Sequence, residues 1–119
     1  MTTQEIANKL AAYCKTGEWE SAQRELYAED VVSLEPYATE DFAQETKGLK
    51  AVIEKGRKFD SMIQEVHSLT VSEPLVAGNT FAFVMTMDLT MKAKGRFAMP
   101  ELCVYQVKDG KIISEQFFV

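Results

Sequence analysis

Apolar residues recur at helical spacing through the first half of the chain and alternate with polar ones through the second. Thr2, Gln4 and Glu5 have the form of a capping box, Thr2 reaching forward and Glu5 reaching back. Ile6, Leu10, Tyr13 and Cys14 follow on one helical face, and Gly17 marks the stop. A second helix is expected from Glu18 to about Ala28, with Trp19, Ala22 and Leu26 aligned. Val31 to Glu35 is short and β-branched, and Pro36 ends it. Tyr37 to Thr46 is polar and turn-like, and Gly48 to Phe59 carries Leu49, Val52, Ile53 and Phe59 at the spacing of a third helix.

Beyond Asp60 the period changes to two. Gly78-Asn79, Lys92-Ala93-Lys94-Gly95 and Asp109-Gly110 are turn signals that divide the remainder into four strands. Helices first and an antiparallel sheet second is an α+β layout, with the helices on one face of the sheet and one domain over residues 1–119.

Residues directly opposite in an antiparallel pair share a face, so the turns decide which side chains meet. A two-residue Gly78-Asn79 turn sets His67 opposite Thr90, Leu69 opposite Asp88 and Val71 opposite Thr86. A loop centred on Ala93-Lys94 sets Asp88 opposite Met99, Thr86 opposite Glu101, Val84 opposite Cys103 and Ala82 opposite Tyr105. One face then holds His67, Asp88, Glu101, Cys103 and Tyr105. The other holds Phe81, Phe83, Met85, Met87, Leu89, Leu102 and Val104. At Asp109-Gly110 a plain two-residue turn sends Gln116 to the mixed face, whereas a bulged type I turn sends Glu115 there with Ile113, Phe117 and Val119. The bulged turn is preferred. Three helices cover the mixed face and leave a hollow, and the aromatic-methionine face is expected to be covered by a second copy of the chain, a homodimer through Phe81, Phe83, Met85 and Met87. The alternative is the swapped assignment, with the aromatic-methionine face under the helices and the polar face solvated.

Composition narrows the chemistry. At 119 residues, 46% hydrophobic and 26% charged, the chain can bury about two-thirds of its unfolded surface as one domain. A net charge of −5 suits no phosphate backbone, so nucleic acid is not an expected partner. No apolar run approaches the ~20 residues of a membrane span, and the polar opening Met1-Thr2-Thr3-Gln4-Glu5 is unlike a secretory signal, so the expectation is a cytoplasmic protein away from membranes. Cys14 and Cys103 match no CxxC spacing and read as buried reduced thiols. With them and the single His67, no Cys/His metal site can be assembled, and no glycine-rich phosphate loop or nucleophile elbow is present. No metal and no cofactor is therefore expected.

Four stretches in order carry a resemblance that spans the chain: Thr16-Gly17-Glu18-Trp19, Tyr27-Ala28-Glu29-Asp30-Val31-Val32, Gly48-Leu49-Lys50-Ala51-Val52, and Val104-Tyr105-Gln106-Val107-Lys108-Asp109-Gly110-Lys111-Ile112. In these the chain resembles the nuclear transport factor 2-like superfamily and, within it, the SnoaL-like polyketide cyclases. The resemblance implies a cystatin-like fold: a strongly bent antiparallel sheet wrapped around N-terminal helices, a cone-shaped α+β barrel with an internal ligand-binding cavity. The chain is also distantly similar to ketosteroid isomerase, with Glu35-Pro36 where that family has its Asp-Pro base. That family's two oxyanion donors would fall near Leu10 and Cys103, which cannot donate comparably, so steroid isomerisation is not implied. Limonene epoxide hydrolase is a further relative by fold, with an Asp-Arg-Asp arrangement. Asp88, Glu101 and Glu115 could supply carboxylates here, but the register turns Arg96 elsewhere.

The candidate catalytic residues are Glu35, His67 and Asp88: a carboxylate base, and an imidazole whose unperturbed pKa near 6.5 suits proton transfer, oriented by a carboxylate. Tyr13, Trp19, Tyr37, Phe59, Glu101, Tyr105 and Glu115 are the candidate ligand-contacting residues. Together they imply a cavity for a small apolar molecule and proton transfer next to a carbonyl, as in a cyclase or isomerase. A non-catalytic ligand-binding module and a protein-interaction module are the competing readings.

Overall fold

The computed structural model describes every residue from Met1 to Val119. Helices α1 (Thr3–Lys15) and α2 (Trp19–Leu26) open the chain. The capping box forms: Thr2 Oγ1 accepts from the Glu5 N–H at 3.1 Å, and Glu5 Oε1 accepts from the Thr2 N–H at 2.8 Å. Two donors that the first helical turn would otherwise leave unpaired are thereby satisfied. The chain passes from α2 directly into β1 (Tyr27–Leu34), which therefore starts four residues before the expected Val31. After a loop come β2 (Glu45–Lys47) and α3 (Leu49–Met62), then β3 (Ile63–Val71), β4 (Leu75–Ala77), β5 (Thr80–Met91), β6 (Gly95–Lys108) and β7 (Lys111–Phe118).

The strands form one curved open sheet in the order β2-β1-β7-β6-β5-β3, with β4 also on β5. Every pairing is antiparallel except β1 with β7, which is parallel. The expected four C-terminal strands are five, because Ser72-Glu73-Pro74 interrupts the first of them. Proline has no N–H to give to a ladder, which accounts for the break.

Two registers differ from the sequence reading by one residue, and each shift exchanges the faces. The turn after β5 is a three-residue loop, Lys92 to Lys94, with Gly95 at φ +79° paired to Met91. Glycine takes this left-handed conformation without steric cost, and it closes the loop one position earlier than a turn centred on Ala93-Lys94. Phe83 therefore lies opposite Cys103, Met85 opposite Glu101 and Phe81 opposite Tyr105. In β3, irregularities after Ile63 and Val66 set Leu69 opposite Met87 and Val71 opposite Met85. The face carrying Phe81, Phe83, Met85 and Met87 is thus the inner one, under the helices, and cannot be the surface on which a second copy sits. The swapped alternative describes it, with Glu101, Cys103 and Tyr105 joining the aromatic-methionine face.

The last hairpin takes the plain two-residue turn and not the preferred bulged type I turn, yet it keeps Glu115 on the inner face. Asp109 (φ +52°) and Gly110 (φ +76°) make a two-residue turn with both central residues left-handed, as in type I′. The bulge lies inside the strand, between Gln106 and Val107, where Ile112 and Ser114 pair and Ile113 is skipped. Ile112 points into the core, and beyond the bulge Glu115 and Phe117 face inward as expected.

The core joins Ile6 and Leu10 of α1, Leu26 of α2 and Val52 of α3 to Phe81, Phe83 and Tyr105 on the sheet. The Phe81 and Tyr105 rings stack with centroids 4.9 Å apart. On the opposite face Val84, Leu102 and Phe118 form a row across β5, β6 and β7, each more than two-fifths exposed. The two faces give a direct check on the register. Phe83→Ala should cost about 3–5 kcal/mol, as for truncation of a buried ring, while Phe118→Ala should cost less than about 1 kcal/mol. Urea denaturation of the two variants measures both, and equal losses would contradict this assignment of faces.

Candidate functional site

Between the helices and the inner face of the sheet lies a cavity of about 220 Å³. Ten of its sixteen lining residues are apolar, among them Leu10, Trp19, Phe59, Met85, Met87 and Phe117. Its volume is below the range of about 300–1,000 Å³ common for drug-sized ligands, so it suits a molecule of few atoms. Helix α3 turns Lys55, Gly56 and Phe59 toward the sheet. The Trp19 indole N–H donates to Asp60 Oδ1 at 2.9 Å and ties α2 to α3. The loop after β1 brings Phe42 against Phe59, with ring centroids 6.5 Å apart, and Lys58 holds it by donating to the Asp41 carbonyl.

A chain of polar groups crosses one end of this space. Glu115 on β7 is only 4% exposed. The Tyr27 hydroxyl donates to its Oε1, and the Ser33 hydroxyl donates to its Oε2 at 2.6 Å. Lys55 Nζ in turn donates to Ser33 Oγ at 2.6 Å and to Glu35 Oε2 at 2.9 Å. Burial raises the Glu115 carboxyl pKa, and the Ser33 and Tyr27 hydrogen bonds pull against that rise. Burial likewise raises the Tyr27 and Tyr105 phenols, and pushes the Cys14 thiol up to about 12, so neither ring nor thiol is an anion at neutral pH.

Glu101 on β6 is different. It lines the same cavity, yet no ammonium, guanidinium or backbone N–H holds it, and its one hydrogen-bonding side-chain contact is the Cys103 thiol, 3.7 Å from Oε1. A thiol is a weak donor. β7 ends at Phe118, opposite Leu102, so Glu101 stands where β6 has lost that neighbour. The missing N–H of Pro100 is tolerated in the same stretch. Burial, then the negative charge of Glu35, push the Glu101 carboxyl up to about 7.

The helical wall contributes one more polar group. Gln23 is 8% exposed and its carboxamide has no protein partner, yet no sealed side-chain nitrogen or oxygen is left unpaired. The Gln23 amide is therefore not sealed, and it opens on the cavity that Gln23 lines. Beside it stands Gly56, inside α3, where glycine costs about 0.5–1 kcal/mol relative to alanine. A Cβ there would meet nothing nearer than Gln23 Nε2 at 3.8 Å and Oε1 at 3.9 Å.

Of the residues singled out from sequence, Glu35, Trp19, Phe59, Glu101, Tyr105 and Glu115 line the cavity. Four others do not. His67 Nε2 lies 2.7 Å from Thr90 Oγ1, its Nδ1 is 3.1 Å from Glu65 Oε2, and both contacts are on the face away from the cavity. Asp88 is held on that outer face by Arg96 through two hydrogen bonds of 3.0 Å, and the guanidinium lowers its pKa. The β5–β6 register shift is the reason. Tyr13 packs at the margin of the core and donates its hydroxyl to Glu25 Oε1, and Tyr37 is 60% exposed in the loop after β1. Lys55, Gln23, Tyr27 and Phe42 were not foreseen. Two of these had a signal: Gln23 follows Trp19 by four positions on the buried face of α2, and Lys55 lies between Val52 and Phe59 on that of α3. No group of three His, Cys, Asp or Glu side chains converges as metal ligands would.

The raised Glu101 pKa has a stability consequence with a definite sign. A carboxyl with pKa about 7 in the folded chain and an ordinary value when unfolded binds its proton more tightly when folded. Its contribution is complete below about pH 4.5 and is lost as pH rises through 7, on the order of 3 kcal/mol at most. Glu101→Gln should flatten that part of the profile and be more stable than the parent chain at pH 8. Denaturation midpoints between pH 5 and pH 8 measure it, and parallel profiles would contradict the placement of Glu101.

The family model of the SnoaL-like domain matches residues 1–119. A Mesorhizobium loti protein named for the SnoaL-like polyketide cyclases is 35% identical, covers all of both chains and superposes with a TM-score of 0.89. A Xanthomonas campestris protein with a cystatin-like fold is 16% identical over 99% of this chain and 90% of its own, at a TM-score of 0.83. A Catenulispora acidiphila protein with a ketosteroid isomerase-like fold, solved in complex with trimethylamine, is 20% identical over 99% and 87% of the chains, at 0.76. No curated protein matches the chain. No helix is long and apolar enough to cross a membrane. With a match from the first residue to the last, around the same bent sheet and helices, the chain belongs to the SnoaL-like domain family of the nuclear transport factor 2-like superfamily.

Proposed function

We propose that the protein binds a small, largely apolar carbonyl compound in this cavity and moves a proton next to its carbonyl with Glu101, as an isomerase or cyclase does. The observation that carries the reading is Glu101 itself: a carboxyl in an apolar cavity, without a cationic partner, titrating near neutrality. A base is most effective when its pKa lies near the working pH, and such a group contributes about 10²–10⁴-fold. Ionised Glu101 accepts the proton from the carbon beside the carbonyl, leaving an enolate. Lys55, held by Ser33 and Glu35, places a fixed positive charge in the same cavity wall, and the apolar surroundings strengthen its attraction for the developing anion. Return of the proton from Glu101 to another carbon of the ligand completes an isomerisation; in a cyclisation the enolate carbon bonds to a second carbonyl carbon within the ligand, and the alkoxide so formed takes the proton back from Glu101.

Deuterium exchange tests the central step without knowledge of the natural ligand. The protein in D₂O should exchange the α-hydrogens of cyclohexanone faster than buffer alone, at a rate that rises through about pH 7 and then levels. Glu101→Gln should lose about 10²-fold or more of that rate. Exchange no faster than buffer, or unchanged in the variant, would remove the catalytic role. Binding without exchange would identify the non-catalytic module instead.

A further inference from the structure

The structure assigns a second role in this cavity: the Gln23 carboxamide, in the space that Gly56 leaves open, is the hydrogen-bonding anchor for the carbonyl oxygen of an uncharged ligand. The inference rests on the reading of the cavity as a small-molecule site and names the group by which the ligand is held. Gln23 is more than nine-tenths buried, and its amide is unpartnered and opens on the cavity. An amide that opens on the cavity without a protein partner is free to bond what enters it, and a ligand acceptor there takes the place of solvent as its partner. Gly56 is the second observation. Its backbone would accept a Cβ at ordinary contact distance, and the atoms that Cβ would meet first are those of the Gln23 amide. Glycine at this position keeps open the volume beside that amide.

The charge of the cavity restricts the ligand further. The cavity's single ammonium, Lys55, is already paired with Glu35, and Glu101 and Glu115 add further carboxyls to the lining, so an anionic ligand would find no unpaired cation. An amide N–H needs an acceptor, and a ketone or aldehyde oxygen is an uncharged one. Gln23 stands on the helical wall and Glu101 on the sheet wall, so a ligand held by its oxygen at Gln23 directs its carbon framework toward the carboxyl.

Cyclohexanone and methylenecyclohexane, alike in shape and differing in the oxygen, separate this anchor from simple filling of the cavity. In the ¹⁵N-labelled protein the Gln23 side-chain amide resonances should shift on adding cyclohexanone and stay in place on adding methylenecyclohexane. Gln23→Met should weaken cyclohexanone binding by about three- to tenfold and alter methylenecyclohexane binding less than about twofold, the effect of one neutral hydrogen bond. Gly56→Ala should weaken both probes while raising the denaturation midpoint. If both probes move cavity resonances such as the Trp19 indole while the Gln23 amide stays still, the anchor is wrong and the cavity reading stands. If neither probe moves any cavity resonance, the cavity reading fails and the anchor with it. Because the resonance shifts are read on the unaltered chain, the outcome does not depend on the folding of either variant.

Discussion

The hydrogen-bonded burial of Glu115 is the constraint on which the cavity end of the fold depends. Ser33 on β1 is its direct partner across the parallel β1–β7 pair, and Tyr105 is its partner across β6–β7, so the carboxyl sits between two neighbouring strands on the inner face. A slip of one residue would turn Glu115 to solvent and bring the exposed Gln116 inward, leaving the Tyr27 and Ser33 hydroxyls without their acceptor. Burying such a group is tolerable only because each oxygen accepts a hydrogen bond. The nearest cation is one atom removed: Lys55 reaches Ser33, and Ser33 reaches Glu115. One side-chain chain thus ties β7 to β1, β1 to α3, and α3 to the segment that begins with Glu35.

Against that closed arrangement, Glu101 shows what the same side chain does when its partners are withheld. Both carboxyls face the same cavity and both have a raised pKa. Glu115 has two hydroxyl donors and is almost sealed, so both of its oxygens are committed. Glu101 has a thiol and an open side. Environment separates the two: one carboxyl is held between strands by hydroxyl donors, and the other is left open to the cavity. Glu35, the expected base at the end of β1, stands in the same cavity but is committed to Lys55 at 2.9 Å. Its measurable effects are on its neighbours, since its charge helps raise Glu101.

The order of the three helices and the long strands, the capping box, all three turn positions and the inward turn of Glu115 can be read from the chain, because each rests on local pattern: a period, a Thr–Glu pair, a glycine beside a polar residue; the three-residue strands β2 and β4 are too short to show one. The inner face cannot be read the same way. Whether Met85 or Thr86 lies opposite Glu101 is decided by one residue in the Lys92–Gly95 loop, and both choices are compatible with Gly95 in the sequence. That one residue moves Asp88 outward, and with it the orientation of His67 by a cavity carboxylate. Glu101 reaches the cavity from either register only because its own strand mates, Cys103 and Tyr105, go with it. Lys55 and Gln23 escape notice for another reason: a period shows which face a residue occupies, and not whether the space before that face is filled.

Four side-chain choices in this chain run against local rules. An amide sits on the apolar stripe of α2 and a lysine on that of α3, a glycine interrupts α3, and a carboxyl stands among the inward residues of β6. Each departs from what packing alone would select, through a polar amide on an apolar stripe, a desolvated charge or lost helix propensity. Were they scattered, they would be four separate imperfections. Gln23, Lys55, Gly56 and Glu101 instead open on one cavity, contributed by two helices and the sheet that are far apart in sequence. Departures from consistency that converge in space mark the place where a protein is built for something besides stability. The convergence is independent of any likeness to other proteins, and it lies between the helices and the inner wall of the sheet, not on the outer face with His67 and Asp88.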